Sequence, residues 1–176
     1  MNEIEIIKAS EEDLVTVHDM AQVVFRHTYR EILSPEQMEY MMDMMYSMPN
    51  LHLQLDEGHH YYIAYASGQP CGYVSVQSEG TDESGVEVFH LHKIYVMPQA
   101  QGKGLGKKLF DTVVRHVCES AGGRRARIEL NVNKHNSAVA FYEHIGMRII
   151  HEEDYPIGNG FYKTDYIMAL DLLCGV

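Results

Sequence analysis

Gln101-Gly102-Lys103-Gly104-Leu105-Gly106 joins an apolar run, Leu91 to Val96, to a helical pattern over Lys107 to Val117. A chain that passes from strand through glycines into helix points several unpaired N–H groups, and the positive end of a helix dipole, at one spot. Such a spot binds phosphate. Glycine suits it because a Cβ would hold a bulky diphosphate away from the main chain, and because tight turns call for positive φ. Two familiar phosphate loops are excluded: both G-x-x-x-x-G-K-[ST] and G-x-G-x-x-G, counted from Gly102, require glycine where Lys107 stands.

Two further groups of residues could move protons. His90 and His92 lie two apart on a strand pattern, so their side chains share a face. Histidine exchanges protons near neutrality, which makes the pair a candidate base. A solvated face is the other reading, and a metal pair lacking its third ligand is a weaker one. The second group is Asn136-Ser137-Ala138-Val139-Ala140-Phe141-Tyr142-Glu143-His144-Ile145-Gly146-Met147, a short helical pattern carrying one phenol. Tyr142 could be a proton donor or simply a residue of the buried helix face, and Asn136 or Ser137 could cap that helix.

The elements that must position these residues can be read from periodicity and punctuation. Ile4, Ile6 and Ala9 alternate as in a strand, and Ser10-Glu11-Glu12-Asp13 forms an N-cap with an acidic first turn. Leu14, Val17, Ala21, Val24 and Phe25 then mark the core side of a helix from about Glu11 to Thr28. Ser34-Pro35-Glu36-Gln37 starts a second helix, rich in methionine from Met38 to Met45, whose stripe is adaptable core or the lining for a flexible ligand. Tyr61 to Ala66 and Cys71 to Gln77 form a hairpin about Gly68-Gln69-Pro70, and Ser78 to Ser84 reads as a polar loop. Val86 to Val96 is a long strand, Arg127 to Val132 another, and Met147 to Glu152 with Gly160 to Leu170 close the chain as two more. The order is βααβββαβαββ.

At 176 residues the chain suits one domain, residues 1–176, burying roughly two-thirds of its unfolded surface. The start has no basic n-region, and no stretch of 18 apolar residues occurs, so a protein without membrane segments, residing in the cytoplasm, is expected. Cys71, Cys118 and Cys174 are odd in number and far apart, which indicates neither a disulfide framework nor a metal site. The formal charge of −11 argues against nucleic-acid binding. Yet residues 101 to 127 hold seven of the 14 basic groups against Asp111 and Glu119 alone. A basic island in an acidic protein suits an anionic cofactor and a cationic second substrate, although acidic surfaces also serve solubility.

The spacing Q-x-x-G-x-G at Gln101, Gly104 and Gly106, with its flanking strand and helix, resembles the acetyl-CoA loop of the GNAT N-acetyltransferases. The Asn136 to Met147 segment is similar to that family's N-x-x-A-x-x-x-Y-E-x-x-G-F, with Met147 in place of Phe and Asn136 one residue nearer the tyrosine. The resemblance implies an α/β (α+β) fold, a mixed central sheet of about seven strands with helices on both faces, whose fourth and fifth strands part to admit acetyl-CoA. It further implies that Ile94, Tyr95 and Val96 pair with the pantetheine amides, and that Gln101, Gly102, Lys103, Gly104, Leu105, Gly106 and Lys107 hold the phosphates. Lys108 is a further phosphate candidate, although exposed helix lysines need no ligand. Either Asn133 or Asn136 would supply a cofactor-contacting amide. Tyr142 takes the place of the acid that protonates the departing thiolate. His90, ahead of His92, takes the level where relatives commonly carry a carboxylate base.

Phe25-Arg26-His27-Thr28-Tyr29-Arg30, Leu33 to Met38 and Phe161 to Ala169 resemble the bacterial spermidine/spermine N-acetyltransferases of the PaiA type. That likeness implies a small, cationic amine as acceptor, flanked by Thr28, Tyr29, Glu31 and Tyr162. Other acceptors, among them a protein N-terminus, remain open, as does a non-catalytic acyl-CoA-binding regulator. No metal is expected. Apolar surface on the Met-rich helix could support a homodimer.

Overall fold

The computed structural model describes residues 3–175; Met1, Asn2 and Val176, at the ends of the expected domain, lie outside the described residues. Strand β1 (Ile4–Lys8) leads through a 3-10 turn (Glu11–Asp13) into α1 (Leu14–Tyr29), α2 (Pro35–Tyr46) and α3 (Met48–Asp56). Strands β2 (His60–Ala66), β3 (Gln69–Thr81) and β4 (Glu87–Val96) follow, then α4 (Leu105–Ala121), β5 (Arg125–Asn133), α5 (Ala138–His144), β6 (Arg148–Gly158) and β7 (Phe161–Leu173). The seven strands hydrogen-bond in the order β1-β2-β3-β4-β5-β7-β6. β4 and β5 run parallel, whereas β1/β2, β2/β3, β5/β7 and β6/β7 are antiparallel, so the sheet is mixed as expected.

Three boundaries differ from the sequence reading. The Met-rich helix ends at Tyr46, and a further helix that the expected order lacks, α3, follows it: Ser47 accepts a hydrogen bond from Asn50 N at 3.3 Å and Pro49 occupies the first turn. A Ser-x-Pro start inside a continuous run of helix formers ends one helix and begins another. β3 runs on to Thr81 through residues expected to be loop. The turn comes later, where Asp82 Oδ1 accepts from Ser84 N and Val86 N at 2.8 and 3.0 Å. β6 and β7 are also longer than read and turn about Asn159 and Gly160, both at positive φ.

The chain divides into two compact units, one of residues up to Gln77 with Lys93–Val114, the other of Ser78–His92 with the residues from Arg115 onward. In the first, Leu14, Val17, Ala21, Val24 and Phe25 of α1 are buried, as their helical spacing predicts. Met38, Met41 and Met42 join this core, while Met44 is exposed. Tyr46, Tyr61 and Tyr73 fill the space beside them, and the Tyr46 and Tyr73 hydroxyls hydrogen-bond at 2.7 Å. Gly72 is required by close approach: a Cβ there would lie 2.9 Å from Tyr95 O.

In the second unit, Ile128, Leu130 and Val132 of β5 and Met168 and Ala169 of β7 are buried. The residues between them on β5 point to the opposite, polar face. Cys118 and Cys174 form a disulfide, with Cα atoms 5.1 Å apart. This corrects the expectation from sequence: 56 residues of separation say nothing about proximity, which is set by the end of α4 meeting the end of the chain. Cys71 is a free thiol, which burial pushes up from its ordinary range.

Candidate active site

The glycine loop takes the conformation that its residue types demand. Gly102 and Gly104 have φ of 77° and 79°, which only glycine adopts freely. A Cβ at either would meet nothing within 4 Å, so these glycines serve the turn and an open face, not packing. Gln101 folds back, its Nε2 donating to Val96 O at 3.0 Å. Lys108 N is the first to bond back into α4, to Gly104 O at 3.2 Å. The N–H groups of Leu105, Gly106 and Lys107 therefore have no intrahelical acceptor, at the positive end of a 17-residue helix. Unpaired donors beside an open face fit a diphosphate, so these residues could hold one. Lys107 is ion-paired with Asp111, and Lys103 Nζ reaches Gln99 O at 3.4 Å, while Lys108 is exposed.

Strand β4 divides its candidates by alternation. His90 and His92 are half-buried on one face, whereas Leu91 and Lys93 are buried on the other. The His90 and His92 rings lie 4.5 Å apart, as the i, i+2 spacing predicts. His90 Nδ1 stands 3.3 Å from Glu79 Oε1 of β3, and this contact, more than burial, holds the Glu79 carboxyl below its usual range. Sequence reasoning missed Glu79 because its segment read as loop. The signal was that no glycine or proline interrupts Tyr73 to Glu79. The parallel register of β4 with β5 runs from Glu87↔Ala126 to His90↔Glu129 and ends there, while β4 continues to Val96.

Ile94, Tyr95 and Val96 sit half-buried at the end of β4. Tyr95 belongs to the Lys93 face, and its hydroxyl meets that of Tyr29 at 3.2 Å, joining a cofactor candidate to an acceptor candidate. Thr28 donates to Val24 O at 2.8 Å, a bond within its own helix. Glu31 is exposed in the turn after α1, and Tyr162 is exposed on β7. Lys93 was not foreseen. Its Nζ donates to Gln54 Oε1 at 2.7 Å, to Met45 O at 3.1 Å and to the Tyr61 hydroxyl, and it lies 4.5 Å from the Tyr46 ring centre. Burial pulls its pKa down to about 7.

Tyr142 is buried on α5, its ring 5.5 Å from that of Phe141. Asn136 Oδ1 accepts from Ala138 N at 2.9 Å and so performs the capping role, whereas Ser137 makes no side-chain cap. Asn133 Oδ1 accepts from His135 N at 2.9 Å. Both side-chain oxygens thus shape the loop before α5. Among the described residues, no group of three His, Cys, Asp or Glu is placed to hold a metal ion, and no helix is long and apolar enough to cross a membrane.

Residues 11–170 match the profile of the acetyltransferase (GNAT) domain. The chain belongs to this family. It is thereby an acetyl-CoA-dependent N-acetyltransferase. It is 26% identical, over 98% of its length and 100% of the relative's, to an uncharacterized N-acetyltransferase in the pepI 3' region of Lactobacillus delbrueckii subsp. lactis. Among solved structures it is similar to the PaiA N-acetyltransferase of Thermoplasma acidophilum in complex with coenzyme A, at TM-score 0.74 and 24% identity over 97% of this chain and 99% of that one. It is also similar to the ribosomal-protein-S18-alanine N-acetyltransferase of Escherichia coli, at TM-score 0.68 and 19% identity over 96% and 94%. At such identities these likenesses bear on the fold.

Proposed function

We propose that the protein transfers the acetyl group of acetyl-CoA to the primary amine of a small cationic acceptor, a polyamine such as spermidine or spermine being favoured, and that both compact units serve one acetyltransferase domain. The observation that carries the reading is the open cradle at Gly102 to Lys107, whose donors and basic surroundings suit a CoA diphosphate. The sequence likeness to PaiA-type enzymes and the formal charge of −11 support a cationic acceptor, which an acidic protein attracts at long range.

In this reading Gln101 to Lys107 bind the diphosphate, and the backbone of Ile94 to Val96 aligns the pantetheine arm as an added strand would. Bound acetyl-CoA supplies an acyl thioester and a thiolate leaving group. His90 takes the proton that keeps the acceptor nitrogen from attacking, and Tyr142 donates a phenolic proton to the sulfur, a phenol being protonated at neutral pH. Thr28, Tyr29, Glu31 and Tyr162 border the acceptor. His92 lies beside His90 as an alternative base.

The test is a panel of amines assayed for acetyl-CoA-dependent thiol release. Release with spermidine or spermine above all others is expected. Preference for a peptide N-terminus would overturn the polyamine assignment, and no release with any amine despite acetyl-CoA binding would favour a regulatory acyl-CoA binder.

A further inference from the structure

We propose that Glu79 is a positioning residue for His90, fixing it in the tautomer that carries its proton on Nδ1 and so leaving Nε2 to accept the acceptor's proton. This rests on the reading that the site acetylates an amine. The geometry comes from two neighbouring elements of one compact unit. Glu79 lies in the last part of β3 and His90 in β4, with Nδ1 3.3 Å from Oε1. A neutral imidazole has one donor nitrogen and one acceptor nitrogen. A carboxylate can only accept, so the nitrogen facing it is the donor and the other holds the lone pair.

Glu79 is a poor base in its own right. Its contact with His90 holds the carboxyl ionised to lower pH than usual, which makes it a weaker proton acceptor and a better fixed anion. The step balances simply: the acceptor ammonium loses a proton to His90 Nε2, leaving a neutral amine and an imidazolium, with no change in oxidation state. The imidazolium then faces Glu79, which stabilises it.

The other charged groups on this face do not replace Glu79. His92 lies with its ring 4.5 Å from that of His90, and two imidazolium rings that close repel. The register Val88↔Arg127 and His90↔Glu129 brings two groups of β5 to the same face. Arg127 is paired with Asp82 at 3.2 Å and Glu129 at 3.6 Å, so these charges answer one another. Glu79 is the carboxylate in contact with the imidazole.

The experiment combines nitrogen-15 NMR of histidine-labelled protein with steady-state kinetics of the parent, Glu79→Gln, Glu79→Ala and Glu79→Asp. In the parent, His90 should show a protonated Nδ1 in its neutral form. Glu79→Gln and Glu79→Ala should lose that tautomer preference. They should cut kcat by ~10- to 100-fold, less than removal of a proton-transferring group, with the KM for acetyl-CoA unchanged. Glu79→Asp should restore part of both signatures. A His90 tautomer identical in parent and Glu79→Ala would overturn the proposal. The NMR readout needs no turnover, so a parent inactive toward every amine refutes the acetyl-transfer reading, while an unchanged tautomer refutes the positioning role.

Discussion

Tyr142 and Lys93 are both buried polar groups, and their surroundings give them different tasks. Tyr142 sits on a seven-residue helix beside Phe141. Removing only its hydroxyl preserves the aromatic packing, so Tyr142→Phe should fold with a stability change of about 1 kcal/mol. If the phenol supplies the leaving group's proton, kcat falls ~100-fold or more while acetyl-CoA affinity stays constant. Steady-state rates with calorimetric affinities check this, and an unchanged kcat would deny the role.

Lys93 carries its amine into a nest of phenols, an amide oxygen and a carbonyl, with no carboxylate in contact among the described residues. A cation there is expensive, which is why its pKa falls to about 7. An unfolded lysine titrates near 10.4, so between about pH 7 and that value the unfolded chain holds the extra proton and stability rises with pH. Below pH 7 the full cost of the buried charge is present. The slope from this one group is at most ~1.4 kcal/mol per pH unit. Lys93→Met should therefore flatten the rise in unfolding free energy between pH 7 and 9, measured by denaturant titration. The Tyr46 and Tyr73 hydroxyls are pushed above their ordinary range by burial and stay neutral there. Equal slopes in parent and variant would show that Lys93 is not the titrating group.

Among the elements, the glycine turn was legible because its conformation is local: two residues at positive φ and a helix start need nothing from elsewhere in the chain. The start of α3 was legible in principle at Ser47 and Pro49, but the segment after the methionine run was assigned no element. β3 was read short because Ser78 and Glu79 are polar, whereas the alternation of a strand tolerates polar residues on one face. Glu79 was lost with that segment. The Lys93 nest and the disulfide join residues distant in sequence, and no spacing rule reaches them, whereas the Glu79–His90 contact crosses the single turn between β3 and β4.

The Cys118–Cys174 bridge is a covalent tie that the sequence reading did not expect. Closing a loop with 56 residues of separation contributes up to ~4 kcal/mol in the chain-entropy view. Reduction with dithiothreitol, followed by mass spectrometry and thermal melting, should free two thiols and lower Tm. An unchanged Tm on complete reduction would show that the bridge does not hold the chain end.

At the scale of the whole chain, charge is the feature with functional reach. Of the basic groups between residues 101 and 127, Lys103, Lys107 and Lys108 belong to the glycine loop and the first turn of α4, whereas Arg124 and Arg127 are paired with Glu87 and Asp82. A net −11 means that the protein as a whole draws cations. For a polyamine acceptor this attraction is screened by salt, with a Debye length of ~10 Å at 0.1 M. The acceptor KM should accordingly rise several-fold between 0.02 and 0.5 M salt, on the order expected for steering of exposed charges. A KM flat over that range would argue for a neutral acceptor. The fold class was legible because element order and the glycine loop agreed; the acceptor was not, because loops outside the sheet decide it.

Isothermal titration of acetyl-CoA into the parent and into Gly104→Val decides whether the glycine turn holds the cofactor. Binding by the parent should be saturable, roughly micromolar to submillimolar, and binding by the variant at least ~10-fold weaker, because its β-branched side chain opposes φ of 79° and fills the open face. No binding by the parent, or equal affinity in both proteins, would contradict that role.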